Sequence, residues 1–124
     1  MNKREVGTEY EDRAASYLEE QGVSILQRNF RSRSGEIDII GRNDGYLIFF
    51  EVKFRKNPSA GSASEAVGLR KQEKICRTAD YYLYINHVTL DHPVRFDVVA
   101  IDGERITWFQ NAFPYRERGG GRSF

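Results

Sequence analysis

Cysteine is almost missing: Cys76 is the only one in 124 residues. A lone thiol closes no internal disulfide, and neither a CxxC pair nor a Cys/His spacing surrounds it. That removes the disulfide-stapled and zinc-ribbon classes and makes a reducing, cytoplasmic setting the expectation. Long apolar runs are lacking as well. No stretch approaches the ~20 apolar residues of a spanning helix, and Met1-Asn2-Lys3-Arg4-Glu5 leads into no signal-peptide core, so a soluble chain without a membrane partner is expected. There is little excess charge: 19 Lys and Arg face 18 Asp and Glu, a net +1, so nucleic-acid binding would have to arise from local clusters. Histidine is scarce, and the spacing of His87 and His92 fits no common zinc pattern, so neither receives a role. No internal repeat occurs. At 40% hydrophobic and 30% charged residues, the composition suits one globular domain, 1–115, ahead of a flexible Arg/Gly-rich tail, 116–124.

What is present is concentrated in Gly35-Glu36-Ile37-Asp38-Ile39-Ile40-Gly41 and Leu47-Ile48-Phe49-Phe50-Glu51-Val52-Lys53. Two β-branched and aromatic runs around Asn43-Asp44-Gly45 predict a hairpin, because Asp-Gly readily supplies the positive φ of a two-residue turn. Counting outward from that turn sets Asn43 against Tyr46, Asp38 against Glu51 and Glu36 against Lys53, with all four charged side chains on one face. Neighbouring carboxylates repel unless a cation or a proton lies between them. A divalent ion, Mg²⁺ or Mn²⁺, suits such hard oxygen ligands, and Lys53 is placed to hold a phosphate oxygen or an attacking water. The alternative is a salt-bridged hairpin face. The apolar content of both runs argues for central strands.

The flanking chain supplies the rest. Residues 8–21 predict a helix, with Tyr10, Ala14, Tyr17 and Leu18 on its apolar stripe and Gly22 ending it. Glu11 has two readings, the far half of a capping box with Thr8 or a third carboxylate reaching the sheet. A strand over 23–29 is followed by a linker, 29–35, and Arg28, Arg31 and Arg33 form a basic run that is either solvated or in contact with phosphate. A loop over 57–64 is expected at the mouth of the site. A helix follows from about Ala63 to Ile85, opened by a Ser62–Glu65 capping box, with Ala66, Val67, Ile75, Ala79, Tyr82 and Leu83 buried and Cys76 a small core residue. Its Lys71 and Gln72 are either surface polar residues or phosphate ligands. Strands over 94–101 and 105–110 form a second hairpin, with Asp97 a structural hydrogen-bond acceptor. The fold class is α/β, in the order αβββαββ. A mixed sheet results, since the helical crossover makes the Glu51 and Val94 strands parallel.

Gly35-Glu36-Ile37-Asp38, Phe50-Glu51-Val52-Lys53, the Glu11 helix, Lys71-Gln72 and Arg95-Phe96-Asp97-Val98 together resemble the bacterial YraN family. That family is similar to archaeal Holliday-junction resolvases and to the restriction-endonuclease-like superfamily marked by PD-(D/E)XK. The resemblance covers about residues 7 to 113, with Ile37 where the motif has proline. It implies that Asp38 and Glu51 are metal ligands, that Lys53 is the catalytic lysine, that Glu11 is the helix-borne acid and that Gln72 is an auxiliary polar residue. A Mg²⁺- or Mn²⁺-dependent DNA endonuclease is therefore expected, acting on branched or otherwise structured DNA, with Arg28, Arg31, Arg33, Arg55 and Lys71 on flanking phosphates. Related resolvases are twofold dimers, so a homodimer is expected too. The competing readings are a noncatalytic nucleic-acid-binding or adaptor module and a purely structural ion-pair network.

Overall fold

The computed structural model describes residues 3–55 and 67–116. Helix α1 (Lys3–Glu20) leads into strands β1 (Ser24–Ser32), β2 (Gly35–Asn43) and β3 (Tyr46–Phe54). Helix α2 (Leu69–Ile85) then crosses to β4 (Val94–Asp102) and β5 (Arg105–Phe113). The five strands lie in the order β1-β2-β3-β4-β5, with β3 and β4 parallel and the other neighbours antiparallel. This is the mixed sheet and the αβββαββ order expected from the sequence.

The hairpin turn carries Asp44 at φ 53° and Gly45 at φ 81°. Two consecutive positive φ values make a turn whose twist matches that of the flanking strands. The register follows from it, from Asn43 against Tyr46 out to Ile39 against Phe50. The central strands are buried on both faces. Phe49, Phe96, Val98 and Ala100 pack with Ile75, Ala79, Tyr82 and Leu83 of α2. Ile48, Phe50, Val99 and Ile101 pack with Ala14, Ala15 and Leu18 of α1. Successive residues of β3 and β4 thus feed opposite clusters, as the period of two requires. Gly41 permits a close approach inside the second cluster: a Cβ there would lie 2.8 Å from Val23 Cγ1 and 3.1 Å from Ser24 O.

Several boundaries differ from the expectation. Helix α1 starts at Lys3, which places Thr8 inside the helix instead of at its N-cap, so a Thr8–Glu11 capping box does not open it. Gly22 does end the helix, at φ 96°, with Val23 N–H returning to Leu18 O at 2.9 Å. Strand β1 continues through Ser32 because Phe30, Arg31 and Ser32 pair with Ile37, Glu36 and Gly35, and only Arg33-Ser34 remains as turn. Helix α2 begins at Leu69, with Gly68 extended at its N-cap, so buried Val67 packs from outside the helix. The loop expected over 57–64, the Ser62–Glu65 box, Ala66 and the tail beyond Arg116 fall outside the described residues. Arg116 itself is docked on α2, its N–H donating to Cys76 Sγ at 3.4 Å. Among the described residues, no helix is long and apolar enough to cross a membrane.

Candidate active site

The paired register of β2 and β3 runs as far as Ile39 and Phe50, and the acids lie immediately beyond it. There the Asp38 side chain replaces a backbone partner: its Oδ2 accepts the Val52 N–H at 2.8 Å. The two acids are accordingly not squared up across a flat ladder. Asp38 gathers with Glu36 of its own strand and Glu11 of α1, one carboxylate oxygen from each lying within 4.8 Å of the others. Glu51, 8% exposed at its side chain, meets Lys71 of α2 instead, Oε1 to Nζ at 3.0 Å. Carboxylates from α1 and β2 therefore converge where β2 and β3 part, with Glu51 of β3 near enough for its charge to act on Asp38 and with Lys71 and Lys53 acting in turn on Glu51.

The electrostatics follow from crowding like charges in a part-buried place. Burial, and then the negative charge of Glu51, push the Asp38 carboxyl up to about 8, against the opposing pull of the Val52 amide. Burial also raises Glu51, while Lys71 and then Lys53 hold it down. Glu11 is raised by burial and by Glu36. Lys71 loses hydration on burial, yet the charge and hydrogen bond of Glu51 outweigh this and raise its pKa. Carboxylates so arranged gain from any added positive charge. Their donors are all hard oxygens, and Asp38 keeps its Oδ1 in addition to the bonded Oδ2. The set fits a small divalent cation such as Mg²⁺ or Mn²⁺.

Two members of the cluster escaped the sequence reading as site residues. Glu36 lies two residues from Asp38 on the same strand, a spacing that is the sequence signal for its place in the cluster. Asn29 lies in β1 at φ 53°, a left-handed conformation that asparagine tolerates better than most residues. With its amide nitrogen turned towards the acids, it donates to Glu36 Oε1 at 3.0 Å and to Glu11 Oε2 at 3.0 Å, tying α1 to β2. An asparagine in mid-strand was the only local hint.

The expected phosphate ligands separate into two groups. Arg28 bonds Asp12 Oδ1 at 2.7 Å and so fastens β1 to α1. Arg55 forms a two-pronged pair with Asp102, Nε to Oδ1 at 3.0 Å and Nη2 to Oδ2 at 2.8 Å. Gln72 donates to Val67 O at 2.8 Å and accepts from Arg116 Nε at 3.4 Å. These three side chains hold the fold together. Arg31 and Arg33 are exposed beside the β1–β2 turn, Arg31 only 3.6 Å from Glu36 Oε2, and Lys71 is 57% exposed despite its contact with Glu51. Asp97 is fully buried and accepts four hydrogen bonds, from Arg95 Nε and Nη2, Trp108 Nε1 and the Asn111 N–H. Its structural role agrees with the sequence expectation.

A mixed sheet in αβββαββ order, with acids and a lysine where its second and third strands part, defines an α/β domain of the restriction-endonuclease-like class. The family model described as Uncharacterised protein family UPF0102 matches residues 10–101. The chain is 50% identical over 113 residues to a UPF0102 protein of Lachnoclostridium phytofermentans, covering 91% of this chain and 96% of that one. To a UPF0102 protein of Photobacterium profundum it is 47% identical over 114 residues, covering 90% and 91%. The chain belongs to the UPF0102 family, which is the YraN family of the sequence resemblance.

Proposed function

We propose that this protein is a metal-dependent DNA endonuclease hydrolysing phosphodiester bonds, with Glu11, Glu36, Asp38 and Glu51 as the residues that would hold Mg²⁺ or Mn²⁺. The observation that carries this reading is the convergence of Glu11, Glu36 and Asp38, with the Asp38 carboxyl held near 8 by burial and by Glu51, itself under the influence of Lys71 and Lys53. A site that disfavours its own negative charge is poised to accept a dication. When bound, such an ion supplies positive charge to a phosphoryl oxygen and acidifies a water.

The remaining work falls to the chain. Asp38 is oriented by the Val52 amide and Glu11 and Glu36 by Asn29, so the acids are positioned before any substrate arrives. Lys53 neutralises charge building on the phosphoryl group or orients the attacking water. Lys71 holds Glu51 in place and, being half in solvent, can turn its ammonium to a phosphate. Exposed Arg31 and Arg33 contact flanking phosphates and carry no sequence information. Branched or otherwise structured DNA is the substrate class that fits the family resemblance.

The test is cleavage of labelled duplex, flap and junction DNA with Mg²⁺ or Mn²⁺. Activity should vanish in Asp38→Ala and Glu51→Ala, whereas full activity in Asp38→Ala would remove this mechanism. The ion pair between Lys71 and Glu51 favours a second reading, a noncatalytic DNA-binding module in which that lysine settles the acid without a metal. DNA binding that tightens in Asp38→Asn, with no cleavage under either ion, would select it.

A further inference from the structure

Glu51 stands apart from the other acids. Glu11, Glu36 and Asp38 bring one oxygen each to within 4.8 Å of one another, and Glu51 is outside that group. It lies two residues beyond Phe49, on the sheet face that α2 covers, and its side chain is only 8% exposed. Among the described residues its one ion-pair partner is Lys71, Nζ to Oε1 at 3.0 Å. The charges of Asp38 and Glu36 act on the same ammonium, so a monovalent cation of the chain itself already sits beside the acids. Lys71 is not locked there. Its side chain is 57% exposed and springs from the first turn of α2, and its flexible stem lets the ammonium change partners. A dication at Glu51 and the ammonium would repel each other, so the two compete for one carboxylate. Further cations lie along the same side of α2. Lys74 has its Cβ 3.8 Å from the place that a Cβ on Gly35 would take, beside the β1–β2 turn that carries Arg33. Both side chains are exposed, and neither forms an ion pair among the described residues. An anion held by them is one helical turn from Lys71.

We propose that Lys71 is a counter-ion latch: it keeps Glu51 from the divalent ion until a phosphodiester of the substrate draws the ammonium away, so that the metal centre is completed only with DNA in place. This rests on the metal site of the nuclease reading above and adds to it an order of assembly. A phosphodiester chain seated on Arg33 and Lys74 offers Lys71 a second anion, and the ammonium that moves to it leaves a buried carboxylate uncompensated. A dication then replaces the lost charge, and Glu51 turns from Lys71 to the ion. Because the two events share one carboxylate, DNA tightens metal binding and metal tightens DNA binding by the same factor.

The test is calorimetric titration of the full chain with Mn²⁺ in the absence of DNA. Lys71→Met should bind the ion roughly five- to hundredfold more tightly than the parent. Lys71→Arg, which keeps the charge, should bind it as the parent does, and Lys74→Met, which removes an equal but solvent-screened charge one turn away, should change the affinity by less than about twofold. Glu51→Gln should weaken Mn²⁺ binding in the Lys71→Met background and barely alter it in the parent. A lysine that merely orients Glu51 as a ligand predicts the opposite sign, so weaker or unchanged Mn²⁺ binding in Lys71→Met would overturn the latch. The part played by DNA is read from the anisotropy of a labelled duplex in a Lys53→Met background, where cleavage is slowed. Mn²⁺ should tighten duplex binding there, and at least about fivefold less once Lys71→Met is added; equal tightening would overturn the coupling. Equal Mn²⁺ affinities beside metal-dependent cleavage would sink the latch alone, and the predicted rise in a protein that cuts no DNA would sink the nuclease reading alone.

Discussion

Replacing Asp38 with asparagine should make the metal-free protein more stable near pH 8. In the folded chain this carboxyl is raised from 3.8 to about 8, first by burial and then by Glu51. Between those two values the folded state keeps a proton that the unfolded state has released, so folding stability falls as pH rises through the window, by up to about 1.4 kcal/mol per pH unit. Below the unfolded pKa the two states are protonated alike and no such loss exists. The full shift corresponds to ~6 kcal/mol. Asp38 keeps some contact with water and its charge is coupled to that of Glu51, which brings the expected difference to about 2–4 kcal/mol. Asparagine preserves the shape, and its oxygen can still accept the Val52 N–H. Urea unfolding in EDTA from about pH 4.5 to 8.5 should therefore show a gap between variant and parent that is small at the acid end and widens towards the alkaline end. Millimolar Mn²⁺ should close the gap by stabilising the parent, by ~3 kcal/mol at a hundredfold excess over Kd, with little effect on the variant. If Asp38→Asn is no more stable than the parent near pH 8 in EDTA, burial and Glu51 are not disfavouring the charged carboxylate and the ground for a cation site is gone.

Other outcomes follow from neighbouring parts of the structure. Asp97→Ala leaves the buried Arg95 without its two-pronged partner and should cost about 3–5 kcal/mol, read as a large drop in the urea midpoint; an unchanged midpoint would contradict the network. Gly41→Ala drives a methyl to 2.8 Å from the stiff side chain of Val23 and should destabilise by roughly 1–3 kcal/mol in the same assay. Lys53→Met should lower kcat at least ~100-fold while leaving Mn²⁺ affinity in calorimetry nearly unchanged, and an equal kcat would exclude the lysine from the reaction.

Part of this protein is written in short stretches of sequence, and those parts were legible. Asp44-Gly45 suits a tight turn, and the alternation on either side of it sets the register from Asn43–Tyr46 to Ile39–Phe50; one step further the count of Asp38 opposite Glu51 fails, because the Asp38 side chain takes the Val52 N–H and the ladder ends. Both strands are apolar on successive residues because helices cover both faces, and a helix between β3 and β4 leaves them parallel. These are nearest-neighbour and periodic properties of the chain. Which charges meet is a different matter. Arg55 finds Asp102 across 47 residues and Arg28 finds Asp12 across 16, so residues expected on flanking phosphates are paired with carboxylates. Glu36 and Asn29 join Glu11, and Lys71 covers Glu51, only after α1 and α2 have docked on opposite faces of the sheet. Periodicity states which face a side chain occupies. The distance between two long, flexible, charged side chains on different elements depends on how those elements pack, and only the tertiary structure decides that.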